Sequence, residues 1–178
     1  MAGSGADERA WIRGAQDGST SAMEALFRHH WPRAYRAAYL VVHDSAAAED
    51  IAQEAFLAAV RNLDRFDRRR PFGPWLHRIV VNRAIDWARA RTLRRETGAA
   101  PLDTLPAPGA RSNPHSQTLV EGLADLSPEH RAVIVLRHLL EYTPGEIAEL
   151  LGLPRGTVNS RLRRGLDELS RQLGEDVR

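Results

Sequence analysis

Apolar residues recur at helical spacing along most of this chain. Positions three and four apart predict helices over residues 5–17, 20–42, 45–63, 73–95, 117–124, 128–140, 144–151 and 155–173, and no stretch alternates for a useful strand length. The expected fold class is all-α. Between Glu96 and Ser116 the pattern fails, in a segment rich in proline, glycine and alanine that reads as an extended tether. These signals divide the chain into a helical domain over 1–95, a linker over 96–118 and a smaller helical domain over 119–178.

The sharpest local pattern lies in the second domain. Thr143 stands where it can cap a helix whose first position is Pro144, and Ile147, Ala148, Leu150 and Leu151 give that helix an apolar side. Gly152 suits the left-handed backbone of a sharp turn, Leu153 can plug the gap, and Pro154 opens the next helix. On that helix Val158, Leu162, Gly165, Leu166 and Leu169 fall on the core side, opposite Gly156, Ser160, Arg163 and Arg164. Arg155 and Asn159 flank the polar face near its N-terminal end. This is the layout of a helix-turn-helix that reads DNA.

In the first domain, Asp44 and Ser45 can open a helix on which Ile51, Ala55, Ala58 and Ala59 form a small-residue packing stripe. Another side of it carries Asp50, Gln53, Glu54 and Leu57, which reads either as a docking face around one leucine or as solvated acids. Downstream, Phe66, Phe72 and Trp75 are interleaved with Arg65, Arg68, Arg69 and Arg70 around a Pro-Phe-Gly-Pro turn, a combination suited to unpaired bases and their phosphates. Trp75 reads as core before ligand. Asn82, on the stripe of Trp75, Ile79 and Asp86, suits a base edge or an interior hydrogen bond equally well.

Composition narrows the classes. The chain has 178 residues and no cysteine, which excludes disulfides and thiolate zinc sites. All 25 basic residues are arginine, and the net charge of +2 hides an uneven distribution. Residues 61–95 hold eleven arginines against three acids, whereas residues 119–149 hold six acids and two arginines. Basic patches of this kind are the electrostatic footprint of nucleic-acid binding. The N-terminus lacks a signal-peptide core and no apolar run approaches a membrane span, so a cytoplasmic protein without membrane insertion is expected.

The ordered motifs resemble the extracytoplasmic-function sigma factors of the sigma-70 family, small alternative subunits of bacterial RNA polymerase. Residues 49–56 (EDIAQEAF) are similar to the polymerase-docking helix of region two, and Phe72-Gly73-Pro74-Trp75-Leu76 with Ile79, Asn82 and Asp86 to the promoter-melting and minus-ten segment. Residues 126–131 (LSPEHR), Leu136-Arg137, Tyr142, Glu146-Ile147-Ala148 and residues 156–161 (GTVNSR) resemble region four. Pro144-Gly145 stands where an acidic or polar pair is common, and Asn159 where lysine is frequent.

The resemblance implies an alternative sigma factor that directs core polymerase, through its β and β′ subunits, to promoter DNA. Its polymerase contacts would be Asp50, Gln53, Glu54 and Leu57. Minus-ten contacts would come from Arg65, Arg68, Arg69, Arg70, Phe72, Trp75, Asn82 and Arg83. Minus-thirty-five contacts would come from Arg155, Thr157, Asn159, Ser160, Arg161, Arg163 and Arg164. An anti-sigma partner, able to sequester the chain at the membrane, is also implied. The alternative is a one-component helix-turn-helix regulator that binds its operator without polymerase. No phosphate loop, HExxH motif or carboxylate cluster marks an enzyme, and no cofactor is expected. His29 and His30 fall on different sides of a helix and His43 near its end, so they read as surface histidines with no metal site.

Overall fold

The computed structural model describes residues 5–97 and 114–175, so most of the predicted tether lies outside the described residues. Eight α-helices run through the described residues, which contain no strand: α1 (Gly5–Gln16), α2 (Thr20–Val42), α3 (Ser45–Arg61), α4 (Phe72–Glu96), α5 (Pro114–Asp125), α6 (Pro128–Ile134), α7 (Pro144–Leu151) and α8 (Arg155–Glu175). The all-α expectation is met.

Capping residues set the breaks. Ser19 accepts from the Ala22 amide to open α2, and Asp44 from the Ala47 amide at 3.0 Å to open α3. Between α2 and α3 the backbone reverses at His43, which takes the left-handed conformation at φ 51°. Helix α3 stops short of its predicted end. The Asn62 side chain donates to the Ala58 carbonyl at 2.8 Å, and a single 3-10 turn, Leu63–Arg65, follows. Helices α2 and α3 approach closely because alanines line their seam: Ala34, Ala37, Ala38, Ala48, Ala52, Ala55 and Ala59 are fully buried. Helix α4 closes this first core with Leu76, Val80, Val81 and Ala84.

The second core is built by α6, α7 and α8. Predicted as one helix to residue 140, α6 widens into a π-helical stretch, Val135–Leu139. Gly165 lets α8 lie against it. A Cβ at that position would meet Ile134 Cδ1 at 2.9 Å and His130 Cβ at 3.2 Å. Leu166, assigned to the core side from its spacing, is instead exposed, because the contact with α6 is centred on Gly165 and Leu162.

The two groups of helices meet across α2 and α4. Arg89 Nε donates to Glu129 Oε1 at 2.6 Å, His77 Nδ1 and the Tyr142 hydroxyl share a 2.8 Å hydrogen bond, and Arg131 Nη1 donates to the Val41 carbonyl at 2.7 Å. These contacts place α7 beside the N-terminal half of α4.

Candidate nucleic-acid interface

Thr143 and Glu146 form a reciprocal capping box at the start of α7: the Glu146 amide donates to Thr143 Oγ1 at 3.3 Å and the Thr143 amide to Glu146 Oε2 at 2.8 Å. Accepting from the Thr143 amide and hydroxyl holds the Glu146 carboxyl below its usual range. Gly152 takes φ 65°, the left-handed turn that its sequence position calls for. Val158 is buried and fixes the rotation of α8. Arg155, Asn159, Arg163 and Arg164 are thereby exposed together, with Thr157, Ser160 and Arg161 partly covered at the edges. Ser160 donates its hydroxyl to the Thr157 carbonyl at 2.9 Å, so its oxygen remains free to accept a hydrogen bond. Nothing would crowd a Cβ at Gly156, so its neighbourhood is open to a close backbone approach.

In the α3–α4 connection, Arg65, Arg68, Arg69 and Arg70 are all exposed. Asp67 shapes the turn by accepting from the Arg69 amide at 3.0 Å. The aromatics divide. Phe66 and Phe72 are buried, 9% and 3% exposed, and Phe72 packs on His30 and Trp75. The expectation that Phe72 faces DNA is therefore corrected: its ring belongs to the core beneath the turn. Trp75 is half-buried, with its ring 4.6 Å from that of Phe66, and it lines a surface groove. Asn82 is also half-buried and Asp86 exposed, which places their stripe at the surface. Beside Trp75 runs a groove of about 950 Å³ lined by Arg65, Arg70 and Arg78 and, from α7, by Glu146 and Glu149.

Arg83 does not join that turn. It forms an ion pair with Glu54, in a separate depression shared with Asp50 and Asp86. Spacing alone assigned Glu54 to one surface and Arg83 to another, and the packing of α4 on α3 makes them neighbours. Asp50, Gln53, Glu54 and Leu57 do share one exposed face of α3. Reading α3 in isolation missed what completes it. Phe27 of α2 with Leu57 and Val60 of α3, respectively 40%, 54% and 38% exposed, line an apolar groove of about 270 Å³ floored by Phe56. A Met23–Phe27 pair spaced by four on α2 was the available signal.

The buried histidines correct a second expectation. His30 is 6% exposed, held under α1 and the start of α4, because the helix that covers it could not be inferred from spacing within α2. Burial pushes His30, His43 and His77 down to about 4 from their ordinary 6.5, with nearby Arg33 adding to the effect at His30 and His77, and Arg131 at His43. A folded pKa below the unfolded one means that the unfolded chain binds more protons between pH 4 and 6.5. Stability is thus full above pH 6.5 and falls as pH drops through that window. We expect His43 and His77 each to remove on the order of 1–2 kcal/mol between pH 7 and pH 5. Thermal melting across that range checks this, and His77→Gln should flatten part of the slope.

The geometry defines a helical protein of two modules, one carrying an arginine-rich turn and the other a helix-turn-helix. Residues 26–94 match the family "Sigma-70 region 2" and residues 116–169 the family "Sigma-70, region 4". Among its relatives are the ECF RNA polymerase sigma factor SigW of Bacillus subtilis, 32% identical over 91% of this chain and 94% of SigW, and the RNA polymerase sigma factor CarQ of Myxococcus xanthus, 33% identical over 90% and 94%. The fold is similar to that of CnrH, solved in complex with the cytosolic domain of CnrY, with a TM-score of 0.69 and 29% identity over 96% of this chain and 99% of CnrH. The chain belongs to the extracytoplasmic-function sigma factors of the sigma-70 family. Among the described residues, no helix is long and apolar enough to cross a membrane.

Proposed function

We propose that this chain is a non-enzymatic initiation subunit that binds core RNA polymerase through the α2–α3 groove and brings it to promoters read at two separate elements. The observation that carries this reading is the simultaneous exposure of an apolar groove and two arginine surfaces, one on the α3–α4 connection and one on α8. The groove ringed by Asp50, Gln53 and Glu54 suits a protein partner, with an apolar centre and a polar rim. Arg155, Asn159 and Arg163 read base edges upstream, and Arg161 and Arg164 hold phosphate. Arg65, Arg68, Arg69 and Arg70 with Trp75 hold the opened strand downstream, in a cytoplasmic complex that an anti-sigma partner regulates by covering these surfaces.

The α4–α7 packing adds a requirement. Glu146 and Glu149 line the same groove as Arg65, Arg70 and Arg78, so their carboxylates would repel a DNA phosphate entering it. Promoter engagement therefore separates α7 from the basic turn. Polymerase does this when it holds both modules, and tethering then raises the effective concentration of each at its own element. Run-off transcription on a genomic promoter library, with and without core enzyme, tests the reading. Specific footprints by the chain alone would overturn it. Arg163→Ala should weaken upstream-element binding by about 1–3 kcal/mol and relax preference at one base position. Competition among promoter variants in the polymerase-bound state measures that.

A further inference from the structure

Where α1 crosses α2, the Glu8 carboxylate is divided between two tasks. Its Oε1 accepts the Phe72 amide at 2.9 Å, tying α1 to the first turn of α4 directly after the arginine turn. Its Oε2 faces His30 Nε2 across 3.7 Å. That gap is too long for a hydrogen bond, and His30 Nε2 is buried without any hydrogen-bond partner. A buried acceptor or donor facing a carboxylate and bonded to nothing is costly, unless something fills the space between them. His29 is exposed at the mouth, its ring edge-on to that of His30 with centroids 4.7 Å apart and leaning on Trp11 at 5.5 Å.

We infer that Glu8, His29 and His30 form a binding site for a divalent transition-metal cation of the zinc class. One ligand atom from each of the three lies within 4.8 Å of the others. An ion with arms of about 2.0–2.2 Å holds tetrahedral ligands about 3.4 Å apart, so the Glu8–His30 pair is already near that spacing and His29 closes by a side-chain rotation. The donor set is two imidazoles and one carboxylate, which selects Zn²⁺, Co²⁺, Ni²⁺ or Cu²⁺ over Mg²⁺ or Ca²⁺. Burial keeps the His30 imidazole neutral, the form that coordinates. Three protein ligands leave a fourth position to water at the exposed side. The bound Glu8 keeps its other oxygen on Phe72, so the cation braces α1, α2 and the start of α4 together, and the Phe72 amide orients the ligating carboxylate from behind.

The test uses the full-length chain without a polyhistidine tag, titrated with Co²⁺ as a spectroscopic probe and then with Zn²⁺ as competitor. Expected are a one-to-one complex with a visible d–d band, bleached by Zn²⁺, and a rise in melting temperature with Zn²⁺. His29→Ala lies at the surface and leaves the fold intact, so it is the deciding variant: at least tenfold weaker binding and loss of the thermal shift are expected, with Glu8→Gln behaving alike. His138→Ala, at another exposed histidine, should titrate as wild type. No stoichiometric complex, or equal affinity in His29→Ala, would overturn the assignment in favour of scattered histidine binding.

Discussion

Leu57→Glu should remove core-polymerase binding while leaving the chain folded. Leu57 is 54% exposed at the lip of the apolar groove between α2 and α3, so its loss opens no cavity and the new carboxylate remains in water in the free protein. In the complex the same carboxylate has to leave water beside Phe27 and Val60. An unpaired charge in an apolar contact costs several kcal/mol, and about 3 kcal/mol already corresponds to more than a hundredfold in affinity. Asp50→Ala should cost less, about 1 kcal/mol or under, because a rim charge mainly steers encounter and is screened by salt. Direct binding of labelled protein to core enzyme separates the two variants, and circular dichroism with thermal melting shows that both are folded. Wild-type affinity in Leu57→Glu would move the docking surface away from this groove.

That pair of substitutions also shows where sequence reading succeeded. Position and facing along one helix were legible because they follow from a 3.6-residue period: Asp50, Gln53, Glu54 and Leu57 share a face, and so do Arg155, Asn159 and Arg163. Thr143, Gly152 and Asp44 were legible because caps and left-handed turns depend on a few neighbouring residues. Relations between helices were not. Phe72 looks like a base platform until α1 and α2 cover it with Glu8 and His30, and the pairing of Arg83 with Glu54 appears only once α4 packs on α3. Leu166 failed for the converse reason. A glycine one residue earlier draws α6 toward itself and turns the leucine outward. No period within a single segment encodes such pairings, which depend on which surfaces meet in three dimensions.

Arg131 is the strongest case of that kind, and Arg131→Ala should be severely destabilising. Its guanidinium is buried between the two helical groups, with Nε donating to the Leu126 carbonyl at 3.0 Å and Nη1 to the Val41 carbonyl at 2.7 Å. Val41 lies in the last turn of α2, where carbonyls have no partner within their own helix and the helix dipole favours a cation. Helix α2 thus receives a C-terminal cap from a residue 90 positions away. Burial lowers the guanidinium to about 10, still above neutral pH, so it remains charged and its desolvation is offset by these hydrogen bonds and by Glu129 and Asp125 nearby. Truncation to alanine leaves two carbonyls unmet, each worth about 1–3 kcal/mol, and empties the space of the stem, for a loss of about 3–4 kcal/mol. Arg131→Met refills that space but not the hydrogen bonds and should recover only part of the loss. Arg131→Lys keeps the charge but cannot span both carbonyls with a planar fork, and should fall between alanine and wild type. Urea denaturation of all three variants orders them. Equal midpoints would mean that the two helical groups are held together by Arg89–Glu129 and His77–Tyr142 without this third tie.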